Sequence, residues 1–201
     1  MSLLPVSTDL NLVLTGSIGP NQIIVARRIA ERLKLRFVDA EREVEKRAEM
    51  LPSQFQTRFG DARLRALESE VISDLALYRG AVIHISGQML AHGDNLARML
   101  GCSYVVCLVA SIDAVLTRLH IALGARYHNP AERALTLGIL RRDWSIRGRD
   151  PRIHEFDTTA LTDGETYALA LAQGFDDPSL PVRPAQALPG LARAVDVVVL
   201  A

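Results

Sequence analysis

The sequence lacks an excess of charge of either sign: 23 Lys and Arg balance 23 Asp and Glu across 201 residues. A chain that grips nucleic acid through a broad basic face normally carries a positive surplus, so no nucleic-acid partner is expected. Cysteine is scarce. Cys102 and Cys107 are the only two, five positions apart in one largely apolar run. An odd separation along a strand puts side chains on opposite faces, which argues against a disulfide and for buried free thiols in a reducing cytoplasm. No uninterrupted apolar run approaches the length of a membrane span. Residues 1–14 lack the basic start of a signal peptide and carry Asp9 inside their apolar stretch. The expectation is a cytoplasmic protein without a membrane partner.

What is present suits one globular domain: 49% apolar residues and 23% charged. The apolar spacing predicts strands at 11–15, 35–39, 81–85, 104–110 and 155–159. It predicts helices at 22–34, 40–50, 61–78, 95–100, 112–123, 131–147 and 163–173, and a further helical turn or two within 51–59. Ser111 reads as the N-cap of the helix from 112. The continuous apolar run at 104–110 is typical of a strand buried on both faces of a parallel sheet. Alternation of strands and helices predicts an α/β fold with a parallel five-stranded sheet between helical layers. Pro178, Pro181, Pro184 and Pro189 mark a linker, and 194–201 reads as a last strand. The expected division is a domain over 1–174 and a tail over 175–201. That tail strand could extend a partner's sheet, and a homodimer built through it is a further expectation.

The chemistry-bearing segment follows the first strand: Gly16-Ser17-Ile18-Gly19-Pro20-Asn21-Gln22-Ile23. A phosphate-binding P-loop reads G-x-x-x-x-G-K-[ST] between a strand and a helix. The context is met and Gly16 is the first glycine. Asn21 stands at the second glycine, where a left-handed backbone is tolerated by Asn. Gln22 stands at the lysine and Ile23 at the hydroxyl that holds Mg²⁺. Gly19 adds flexibility, and Pro20 removes a backbone donor. The alternative is a turn that simply joins a strand to a helix. Losing one preorganised electrostatic donor typically costs about 3–4 kcal/mol of transition-state stabilisation, and here two are replaced.

Several further elements stand in the order found in shikimate kinases, and the chain resembles that family from 11 to 173. The first is Phe37-Val38-Asp39-Ala40-Glu41, similar to the family's Phe-x-Asp-x-Asp. The second is Gly60 to Glu68, similar to its Gly-Glu-x-x-Phe-Arg-x-x-Glu. The third is Ser86-Gly87-Gln88, where the family has three glycines. The resemblance implies a P-loop NTPase-like three-layer α/β/α fold with a helical lid over about 123–149. It implies ATP and Mg²⁺ as cofactors if the chain is active, and a small-molecule or nucleotide partner. Asp39 would hold Mg²⁺ or orient the substrate hydroxyl, and Arg126 would stabilise the phosphates from the lid. Gly16, Gly19, Asn21, Gln22 and Ile23 would lie at the nucleotide. Glu41, Arg65, Glu68, Ser86, Gly87, Arg142 and Arg147 would lie at the substrate, with Arg65 gripping a carboxylate bidentately. Without the family, Asp39 reads as a helix N-cap and Arg65 with Glu68 as an exposed i,i+3 pair. Trp144 reads as packing on the lid helix. His84, His92, His120, His128 and His154 form no metal-ligand motif.

Three readings follow. One is a shikimate-kinase-like fold with impaired or absent phosphotransfer, a pseudokinase or a non-catalytic nucleotide or anion binder. The second is an active ATP-dependent small-molecule kinase with an atypical loop. The third, suggested by 141–159, is a relative of cytidylate kinases. The first is the expectation, because the loop and the glycine triplet are both altered.

Overall fold

The structure is a computed structural model and describes residues 10–16 and 22–160. Gly19, Asn21, the helix expected at 163–173, the proline-rich linker and the strand expected at 194–201, with its homodimer, lie outside the described residues. The elements are β1 (Asn11–Gly16), α1 (Gln22–Leu33), β2 (Arg36–Asp39), α2 (Ala40–Ala48), α3 (Pro52–Phe59), α4 (Asp61–Leu75) and β3 (Ala81–His84). They continue as α5 (Gly87–Leu90), α6 (Asn95–Leu100), β4 (Ser103–Val109), α7 (Ile112–Leu123), α8 (Pro130–Asp143) and β5 (Ile153–Asp157). Short 3₁₀ turns occupy Gly124–His128 and Trp144–Ile146.

The five strands are parallel and ordered β2-β3-β1-β4-β5. β1 is buried along its whole length because it is central, and its alternate side chains feed two cores. Leu12 and Leu14 pack with Val25, Ile29 and Leu140 beneath α1 and α8. Val13 packs on the opposite face with Val44, Val71 and Ile72 from α2 and α4. This is the expected α/β/α sandwich. In such sheets ligands sit outside the carboxyl ends of the strands, where the order reverses. Here the crevice lies beyond Gly16, Asp39 and His84.

Several boundaries differ from expectation, each for a local reason. The helix expected at 61–78 stops at Leu75. Buried Asn11 donates from Nδ2 to the Tyr78 carbonyl at 2.8 Å and accepts the Ala81 N–H on Oδ1 at 3.2 Å. These bonds tie the turn to β1 and take its backbone groups out of any helix. The helix expected at 40–50 ends at Ala48, with Glu49 left-handed at φ 53°. That expected at 131–147 is α8 and then a 3₁₀ turn. The last strand starts at Ile153 and ends at Asp157, where the Thr158 N–H and hydroxyl both turn to the Val109 carbonyl. Ser111 does cap α7, its side chain accepting the Ala114 N–H. Helix α5 went unpredicted. Ser86 caps it by accepting the Met89 N–H at 3.3 Å. Cys102 precedes β4 and is only half-buried, whereas Cys107 is buried, and both are free thiols. Burial pushes the Cys107 thiol up to about 12, which makes it inert.

Candidate functional site

The loop's ends are defined by two residues. Gly16 closes β1 with φ +86°, and a Cβ there would stand 2.2 Å from the Leu108 carbonyl oxygen. Gln22 opens α1 and is buried. Its Nε2 donates back to the Gly16 carbonyl, so the residue at the lysine position commits one of its two amide N–H groups to the strand it follows. Ile23 is 39% exposed and offers no oxygen to a ligand.

Asp39 ends β2 and caps α2 by accepting the Glu41 N–H at 3.2 Å. In the β2–β3 register it faces His84, whose Nδ1 lies 3.5 Å from Asp39 Oδ1 with both side chains largely buried. That length is too long for a well-formed hydrogen bond, and the two groups lie side by side. Burial pulls the Asp39 carboxyl up, but His84 and the N–H groups of Arg42 and Glu41 outweigh it and hold the group below its ordinary value. Asp39 is thus an ionised carboxylate with its partner already beside it.

Next to this pair lies a cleft of about 340 Å³, framed by α2, α3, α4 and the β3–α5 turn. Its polar lining comes from Glu41, Ser53, Gln56, Glu68, Ser86 and Gln88. Glu68 is buried on α4, not half of an exposed pair. Its Oε2 has no hydrogen-bond partner, and His92 Nδ1 is 3.5 Å away. Burial pushes the Glu68 carboxyl up to about 7; Glu41 adds to this and Arg65 draws it down. Asp143, buried at the end of α8, is pushed up to about 6 by burial and by Glu41, against the pull of the Gln88 and Gly87 N–H groups. Gly87 is where the two elements meet: a Cβ there would stand 1.9 Å from the Asp143 carbonyl oxygen. The close approach that Gly87 permits in this structure is made by α8. Arg65 is exposed and outside the cleft lining, but its charge reaches Glu68 and His92.

The arginines of the expected lid are distributed differently. Arg126 is exposed and pairs with Glu132 at 3.1 Å. Arg142 is exposed on α8. Arg147 is mostly buried and holds Glu155 with two parallel bonds of 3.0 and 2.9 Å, its guanidinium over the Trp144 ring. Trp144 bridges both cores and donates Nε1–H to the Leu108 carbonyl at 3.3 Å. Arg147→Met would strand Glu155 in a half-buried site, and a loss of about 1–3 kcal/mol in urea unfolding is expected.

His84, His92 and Asp143 escaped the sequence reading. Only the strand register puts His84 opposite Asp39, and only the fold brings α8 to Gly87. For Glu68 a signal existed: it lies four residues from both Leu64 and Ile72, on the apolar face of α4. Mg²⁺ demands hard oxygen ligands in near-octahedral order. Ile23 has none in its side chain, His84 lies 3.5 Å from Asp39, and no group of three or more His, Cys, Asp or Glu among the described residues could hold a metal. Among the described residues, Asp39 is the one candidate of the expected metal site that carries a carboxylate. No helix among the described residues is long and apolar enough to cross a membrane.

A parallel 2-3-1-4-5 sheet with a strand–loop–helix phosphate position defines the P-loop kinase fold. The family model for shikimate kinase matches residues 24–166, more than half of the chain, and the match begins just past the altered loop. The chain belongs to the shikimate kinase family. It is 29% identical to the shikimate kinase of Thermodesulfovibrio yellowstonii over 78% of this chain and 87% of that one. It is 33% identical to that of Geobacter sulfurreducens over 54% of this chain and 60% of the relative. Its fold matches the crystal structure of shikimate kinase from Bacteroides thetaiotaomicron with a TM-score of 0.67 at 22% identity, covering 82% of this chain and 96% of the other. A gluconokinase from Sinorhizobium meliloti shares the fold at a TM-score of 0.57 and 15% identity, over 84% and 92% of the two chains.

Proposed function

We propose that this chain is a shikimate-kinase-family protein in which phosphotransfer is impaired or absent, and which acts in the cytoplasm as a small-molecule binder. The observation that carries the reading is Gln22: neutral, buried, and bonded to Gly16 where the family's loop needs a free cation. Ile23 removes the metal-holding hydroxyl beside it, so the loop lacks both the lysine's charge and one ligand for the ion that would offset the triphosphate. The helix N-terminus still offers weak attraction to an anion. Asp39 favours the second reading, an active ATP-dependent kinase with an atypical loop, because it remains ionised at the position matching the family's carboxylate.

Calorimetry with Mg-ATP separates the two. Wild type is expected to bind weakly, and Gln22→Lys with Ile23→Ser to bind roughly ten- to a hundredfold more tightly through new charge-assisted contacts. Tight Mg-ATP binding by wild type, or turnover with any small hydroxy acid, would sink the first reading.

A further inference from the structure

We propose that Asp143 and Arg149 are positioning residues of the cleft: from the connection between α8 and β5 they hold α5 at both ends, and so fix the wall that carries Ser86, Gln88 and Met89. The inference rests on reading the cleft as the small-molecule site. Helix α5 is a single turn of four residues. A helix so short leaves most of its end groups without intrahelical partners, and its nucleation cost exceeds what its few bonds contribute. Groups outside it must hold it. Ser86 Oγ accepts the Met89 N–H at 3.3 Å, and Asn95 Nδ2 donates to the Met89 carbonyl at 2.8 Å. Both ends are also met from the α8–β5 connection. At the first end, the Gly87 and Gln88 N–H groups act as donors to the Asp143 carboxyl. At the other, Arg149 Nη1 donates to the Ala91 carbonyl at 3.3 Å, while its Nε donates to the Ser145 carbonyl at 2.7 Å.

Packing joins the same two elements. A Cβ at Gly87 would stand 1.9 Å from the Asp143 carbonyl oxygen, so the backbones of α5 and α8 touch. Between the two polar contacts, Trp144 and Ile146 share one core with Met89 and Leu90. The two ends differ in strength. Asp143 is buried, and hydrogen bonds to a buried charged acceptor are among the stronger kinds, so its end dominates. Arg149 is exposed and its bond to Ala91 is long, so water competes for it and it contributes less. None of residues 143–149 lines the cleft, whereas Ser86, Gln88 and Met89 do. A shift at the end of α8 therefore moves the cleft wall without touching a ligand, which couples the cleft to the segment expected as a lid. By reciprocity, a ligand against that wall stabilises the connection.

Amide hydrogen exchange of the full chain, read by mass spectrometry at about pH 7.5 where the Asp143 carboxyl is ionised, tests the clamp with no ligand present. Asp143→Ala is expected to speed exchange over residues 86–91 about tenfold, and Arg149→Met about threefold, while β1 and β4 exchange as in wild type. Asp143→Asn keeps the shape and one acceptor oxygen, so it should restore most of the protection. A residue that served only overall stability would speed β1 and β4 equally, and that result overturns the proposal. Unchanged exchange over 86–91 in Asp143→Ala does the same. Should Asp143→Ala not fold, exchange over 86–91 as slow in Arg149→Met as in wild type overturns it. Shikimate is the probe for the second arm. Its binding is expected to slow exchange over 143–149 in wild type, and Asp143→Ala should bind it about tenfold more weakly. Equal affinity in the two forms overturns the proposal. No binding to wild type at millimolar concentration would count against the small-molecule reading instead, and the ligand-free exchange would still decide the clamp.

Discussion

Gly16→Ala is expected to lower folding stability by about 2–5 kcal/mol in the absence of any nucleotide, measured by urea unfolding of the full chain. Two costs add. The backbone at Gly16 has φ +86°, and placing a side chain in the left-handed region costs about 1–2 kcal/mol. The new methyl would also meet the Leu108 carbonyl at 2.2 Å and the Cys107 sulfur at 2.9 Å. Leu108 is the register partner of Gly16 in the central strand pair, and its carbonyl also accepts the Trp144 indole N–H. Relief by movement would therefore disturb the ladder and the Trp144 contact together, a strain of about 1–3 kcal/mol. Gly60 provides the control. It shares φ +86° but has nothing within 4 Å of a built Cβ. Gly60→Ala should show the backbone cost alone, and equal losses at the two sites would mean the collision relaxes freely. The consequence for function is direct. The first glycine of the loop is required by the fold itself, so its retention says nothing about phosphate binding, whereas Gln22 and Ile23 do.

The parts that the sequence made legible are those set by local period. The apolar runs of β1 and β4, the helical stripe of α4 and the Ser111 cap each follow from spacing within a few residues. The position of the altered loop was legible for the same reason. What was not legible depends on residues far apart in sequence. Asn11 shortens α4 from 67 residues away by bonding Tyr78. His84 reaches Asp39 only through the β2–β3 register. Asp143 reaches the cleft's edge because glycine at 87 lets the end of α8 close on it. The family resemblance located Glu41 and Glu68, but it described a pocket for an acid. Arg65 lies outside the cleft lining, though its charge reaches Glu68, and Arg147 is paired with Glu155, placements that depend on the fold rather than on local spacing.

That surplus of carboxyl groups also sets the expected response to pH: the free chain should be more stable to urea near about pH 5 than near about pH 8. Glu68 shifts from 4.5 to about 7 on folding, and Asp143 from 3.8 to about 6. For both, the folded state binds the proton more tightly. Their contribution is fully present below the unfolded value and is lost as pH rises through the folded one. At about 1.36 kcal/mol for each pKa unit, either group alone accounts for roughly 3 kcal/mol, and the pair for less than the sum because both feel Glu41. His92 runs the other way. Burial and the charges of Arg65 and Arg149 depress it, so its contribution is present above 6.5 and lost as pH falls through its folded value. Asp39 is also depressed, but its contribution is present above 3.8 and is lost only as pH falls from there through its folded value, outside this window. Glu68→Gln should flatten the decline, and adding Asp143→Asn should reverse it, leaving the rise due to His92. A wild-type chain that gained stability toward pH 8 would show that the carboxyl groups are not forced together.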